Sequence, residues 1–182
     1  MLSESRQIAM YDQVGNLPAA WEMSADSLLA AASLLRAARE NSGTAPPQVG
    51  DPVSEGEKSQ PSELMIRGFA LECFFKALWV KKGNQLASGG KLQPIKGAAP
   101  HDLLQLADTV AFQCGPNERD VLKRLSLFTT SVGRYPIATE WGRTRIQKSF
   151  DGGSGPPTYW ASPRDYTTYD ALVARLVAEL DK

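Results

Sequence analysis

Residues 61–82 read PSELMIRGFALECFFKALWVKK, and this stretch decides the fold. Leu64, Ile66, Phe69, Leu71, Phe74, Phe75, Leu78, Trp79 and Val80 fall on nearly every side of a helical wheel, the pattern of a helix enclosed by others. Pro61 suits a first helical position, Gly83 a stop, and Lys81 and Lys82 the negative end of the helix dipole. Arg67, Glu72 and Lys76 break the apolar run well short of the ~18 residues that a membrane span needs. A central helix of a water-facing bundle, and no integral membrane protein, is the reading that follows.

The flanking segments supply the rest of the bundle. Upstream, Pro18 opens a helix in which Trp21, Ala25, Leu28, Ala32 and Leu35 recur at helical spacing up to about Glu40. Downstream, His101 to about Gln113 forms a short helix ended by Gly115 and Pro116. Asn117 to Val132 forms another, with Val121, Leu122, Leu125, Phe128 and Val132 on one side. The last helix is the best signalled. Ser162 caps it, Pro163 takes its first position, Asp165 its third, and Tyr166, Tyr169, Leu172, Val173, Leu176, Val177 and Leu180 form its stripe. The chain is therefore expected to be one all-α domain, an up-and-down bundle of about five helices. Its core is residues 18–136 with a C-terminal helix at 162–181. Gly- and Pro-rich loops fall at 41–60, 84–100 and 134–161.

Composition narrows the function classes. With 182 residues, 42% of them hydrophobic and 22% charged, the chain can bury a core without metal or disulfide help. The N-terminal stretch has no basic head followed by an apolar core, so a cytoplasmic location with Cys73 and Cys114 reduced is expected. Formal charge is zero, but residues 1–60 carry four basic and eight acidic side chains, residues 61–160 thirteen and eight, and residues 161–182 three and four. The mildly basic centre is a weak pointer to a polyanionic partner.

One histidine, His101, excludes zinc sites built on two or three histidines, and the absence of a CxxC pair excludes a thiolate site. No metal or cofactor is expected. Gly89-Gly90-Lys91 fails as a phosphate loop, because Gln85 stands where the first glycine belongs and Leu92 where the Ser or Thr belongs. Cys73 sits in an apolar helical run, where thiols are usually inert. The polar groups with chemistry to offer are Glu72 and Lys76, one helical turn apart, His101 at the start of the next helix, and Arg134. Glu72 and Lys76 either pair at the surface or belong to a satisfied polar cluster. His101 either caps its helix or bonds to Glu72.

Phe69-Ala70-Leu71-Glu72-Cys73-Phe74-Phe75-Lys76-Ala77-Leu78, the stop at Gly83, Pro100-His101-Asp102-Leu103-Leu104, and the helix end Gly133-Arg134-Tyr135-Pro136 together resemble the pattern of HEPN-domain proteins over about residues 20–136. The resemblance implies a helical bundle, commonly homodimeric, of the kind found in prokaryotic defence, toxin-antitoxin and RNA-processing systems. Catalytic members carry an arginine followed four to six residues later by a histidine. Here Pro94, Ile95 and Lys96 precede the one histidine, and no histidine follows Arg134. The resemblance therefore implies a non-catalytic binding or regulatory module, with nucleic acid, a nucleotide or a protein as partner. The alternative is an enzyme acting on RNA or a nucleotide through Glu72, Lys76, His101 and Arg134.

A homodimer is also expected from the 61–82 helix itself, which is apolar on more sides than a short bundle covers. Within 134–161, Trp141, Arg143, Arg145 and Lys148 interleave cations with rings. Those are the two ingredients of single-strand nucleic-acid binding, although aromatic residues in long loops more often pack the loop onto a bundle than recognise a ligand.

Overall fold

The computed structural model describes residues 3–41, 55–132, 147–148, 154–155 and 162–182. The protein is all-α. The helices are α1 (Glu4–Gly15), α2 (Pro18–Asn41), α3 (Glu55–Lys81), α4 (Leu103–Thr109), α5 (Pro116–Leu127) and α6 (Pro163–Leu180), with a hairpin, β1 (Ala87–Ser88) and β2 (Lys91–Leu92), between α3 and α4. A second two-residue pairing joins β3 (Gln147–Lys148) to β4 (Ser154–Gly155). A π-helical turn, Phe128–Val132, continues α5.

Helix α3 is the axis, and α2, α4, α5 and α6 all pack against it. Leu71, Phe74, Phe75 and Leu78 are at most 1% exposed and interlock with Leu103, Leu106, Val110, Leu122, Leu125, Leu172 and Leu176. Helix α2 lies antiparallel to it. Trp21 near the start of α2 meets Lys76 near the end of α3, and Arg39 near the end of α2 meets Glu63 near the start of α3. Small residues, Ala25 and Ala32, make this close packing possible, and both are fully buried.

The structure corrects several sequence expectations. No residue from Ser59 to Val80 is exposed. The apolar girth of α3 is thus covered by its own chain and carries no argument for a second copy. Pro61 lies inside α3 instead of opening it. A proline removes one backbone donor from a helix, and here the preceding turn is packed into the bundle, with Gln60 buried. Helix α1 has no sequence signature because it buries no side chain at all. It is held by polar contacts: Asp12 accepts from Gly89 N (2.8 Å) and Gly90 N (2.9 Å), while Asn16 accepts from Leu86 N (2.7 Å) and donates to Ala87 O (2.8 Å).

Helix α4 is shorter than its apolar pattern. Asp102, not His101, caps it by accepting from Gln105 N at 3.0 Å. At the other end Ala111, at φ +53°, turns the chain so that Phe112 meets Phe75 edge-on at 6.0 Å. Helix α5 widens at Phe128, where Thr129, Thr130 and Ser131 hydroxyls donate back to carbonyls three or four residues earlier. Such back-bonding loosens a helical turn. Lys81 stands in the last turn of α3 with Lys82 just beyond it, and both also reach neighbours, donating to the carbonyls of Leu180 and Val110 at the ends of α6 and α4.

Candidate functional site

Glu72 and Lys76 are brought together with His101. The four-residue spacing puts the first two on one face of α3, turned toward the start of α2 and the loop before α4. The Glu72 side chain is 9% exposed, and its two oxygens each hold one partner: Oε1 lies 2.8 Å from Lys76 Nζ and Oε2 2.8 Å from His101 Nδ1. Lys76 Nζ also lies 4.9 Å from the Trp21 ring centroid, a cation held on a π face. The His101 ring meets Phe69 edge-on at 5.5 Å.

His101 sits outside α4 at φ +64°, a left-handed conformation that is uncommon for residues other than glycine. Its carbonyl accepts from Thr129 Oγ1 at 3.1 Å, and its ring turns back to α3. The cluster thus ties three elements, α3, the α4 entry and the π turn. Burial pushes the Glu72 carboxyl up, but the Lys76 charge and hydrogen bond, together with His101, outweigh it and hold the group below the usual carboxylate range. His101 Nε2 makes no hydrogen bond among the described residues, and the side chain is 38% exposed.

The remaining residues singled out in the sequence, Arg134, Trp141, Arg143 and Arg145, lie outside the described residues. Of Lys148 only the backbone is described, paired with Ser154. Both cysteines carry thiols pushed up by burial, Cys114 to about 11, which suppresses the thiolate. The Gly89-Gly90 turn does present two backbone N–H groups in the manner of an anion nest, and the Asp12 carboxylate fills it. Among the described residues no group of three or more potential metal ligands gathers, and no helix is long and apolar enough to cross a membrane.

A second polar cluster escaped sequence reasoning. Glu63, fully buried, accepts from Arg67 Nε (2.9 Å) and from the Tyr166 hydroxyl (3.2 Å), and pairs with Arg39 at 3.4 Å. Arg39 in turn donates to the Tyr166 hydroxyl at 3.0 Å, and the Tyr169 hydroxyl donates to the Arg67 carbonyl at 3.1 Å. Three guanidiniums surround the Tyr166 ring, those of Arg36, Arg67 and Arg39, at 4.4, 5.2 and 5.5 Å from its centroid. The local signal was present in the four-residue spacing of Glu63 and Arg67, but the tyrosine that completes the cluster stands 103 positions away.

Comparison with protein-family models, curated proteins and solved structures finds no match to this chain.

Proposed function

We propose that the chain is a non-catalytic, HEPN-like binding module in which the Glu72 cluster fixes the bundle and holds the His101 ring at the surface for contact with a partner. One observation carries this reading: each oxygen of Glu72 is already committed within the chain, to Lys76 and to His101. The carboxylate and the ammonium neutralise each other, and neither oxygen of Glu72 is left free to exchange a proton with a substrate. The partner classes follow from the resemblance and from the charge bias: nucleic acid, a nucleotide or a protein. Action as a homodimer belongs to the same proposal. Its support is the apolar groove at the α1–α2 junction, where Met10, Tyr11, Val14 and Leu92 surround an open space of about 470 Å³.

An enzyme reading draws on a specific feature. A carboxylate that orients Nδ1 leaves Nε2 able to take a proton, as in hydrolytic dyads, and the strained His101 backbone is of the kind that gathers at functional sites. Incubation of the purified protein with end-labelled RNA in chelator separates the two. Intact RNA is the expected outcome for wild type and His101→Ala alike, whereas cleavage by wild type that disappears in His101→Ala overturns the binding-module reading.

A further inference from the structure

Between α2 and α6 lies an open cleft of about 450 Å³, within the size range of small-molecule sites. Leu29, Ala37, Val173 and Ala174 give it an apolar wall, and Arg36 and Arg67 reach it from α2 and α3. Arg67 shares α3 with Glu72, but neither Glu72 nor Lys76 nor His101 lines the cleft, which stands independently of the function proposed above.

The charges around the cleft are unevenly secured. Arg67 is held from behind: its side chain is 6% exposed, and Nε is bonded to Glu63, itself 1% exposed. Arg36 is held by the Tyr166 ring under its guanidinium. Apart from Nε, which donates to Glu40 at 2.8 Å, the Arg36 guanidinium makes no hydrogen bond among the described residues. The acids that face the cleft are held far less. Glu40 is 58% exposed, and Asp170 is 62% exposed and reaches Arg67 only at 3.7 Å. Of the three carboxylates near Arg36, Arg39 and Arg67, one is therefore locked in the core and two stand in solvent, where ion pairs contribute little. The three arginines thus outweigh the buried Glu63 by two positive charges beside an apolar wall, and these are balanced only from solvent, by Glu40 and Asp170.

We propose that this cleft binds a phosphomonoester with a compact apolar body. A phosphomonoester carries close to two negative charges at neutral pH and so replaces the two exposed carboxylates charge for charge. Its oxygens match the planar donor fork of arginine. A carboxylate brings half that charge, and inorganic phosphate has nothing to lay against Leu29 and Val173.

Calorimetric titration of the full chain at low ionic strength, with phenyl phosphate, inorganic phosphate and benzoate as probes, tests this. Phenyl phosphate is expected to bind about tenfold more tightly than either of the others. Arg36→Gln is expected to weaken it about tenfold with only a modest loss of thermal stability, since the side chain is one-third exposed and its partner Glu40 stands in solvent. Glu40→Gln and Asp170→Asn are expected to tighten it, a result that loss of folding does not produce. No binding of phenyl phosphate by wild type overturns the proposal, as does equal binding of inorganic phosphate, or affinity indifferent to Arg36→Gln. Any of these leaves the RNA test of the Glu72 cluster unaffected.

Discussion

A single carboxylate, Glu72, balances a lysine on its own helix against a histidine 29 positions away. Truncation to alanine leaves Lys76 over Trp21 without its anion and frees His101 from the geometry that holds its left-handed backbone. Breaking a buried ion pair by removing one partner costs about 3–5 kcal/mol. The partial exposure of Lys76 and His101, at 18% and 38%, moves the expected loss for Glu72→Ala down to about 2 kcal/mol. Urea unfolding measures it. The double variant with His101→Ala is expected to lose less than the sum of the two single variants, because both remove the same contact. Additive losses would mean that His101 and Glu72 stabilise the fold separately. At this scale the sequence was informative where partners are local: the Glu72–Lys76 spacing was visible, and His101 was a named candidate partner. The Glu63 cluster was not legible, because nothing local in Tyr166 shows that it reaches a buried carboxylate on another helix.

At the scale of elements, α6 was legible because its signals are written in contiguous residues. Ser162 and Asp165 form the reciprocal cap, with Ser162 N donating to Asp165 at 2.7 Å, and Leu172, Leu176 and Leu180 are buried in the stripe that was read. The start of α3 and the whole of α1 were not, since each depends on contacts with distant segments. The close crossing of α3 and the π turn is similarly invisible in sequence, and it rests on Gly68. A Cβ placed there would overlap Thr129 Cγ2 and crowd the Leu125 carbonyl at 3.4 Å. Thr129 is fully buried, with three carbonyls crowded within hydrogen-bonding reach of its single hydroxyl proton, so it has no room to withdraw. Overpacking of this kind costs about 1–3 kcal/mol. Gly68→Ala is therefore expected to lower the thermal midpoint measurably, and Thr129→Ser, which deletes Cγ2 and keeps the hydroxyl, is expected to recover part of the loss in the double variant. Full additivity of the two would show that the overlap is relieved elsewhere.

On the scale of the whole molecule, buried titrating groups bracket the pH range in which the bundle is stable. The Glu72 carboxyl is held below its ordinary value in the fold. Its contribution is present above the unfolded pKa of about 4.3 and is lost as pH falls through the folded value. The alkaline side is set by groups shifted the other way. Burial pushes up the Cys73 and Cys114 thiols, Cys114 to about 11, and likewise the Tyr166 and Tyr169 hydroxyls. A neutral acid whose folded pKa is raised contributes stability that is complete below its unfolded pKa and declines as pH climbs to the folded one. For Cys114 that window runs from about 8.5, the ordinary thiol value, to about 11. Urea midpoints measured across pH are thus expected to be flat between roughly 5 and 8.5 and to fall on either side. Cys114→Ala removes one of the alkaline titrations, so its decline between pH 9 and 11 is expected to be shallower than that of wild type, while its acid limb is unchanged. A midpoint that rises above pH 9, or an alkaline limb indifferent to Cys114→Ala, would mean that this thiol is as solvated in the folded bundle as in the unfolded chain.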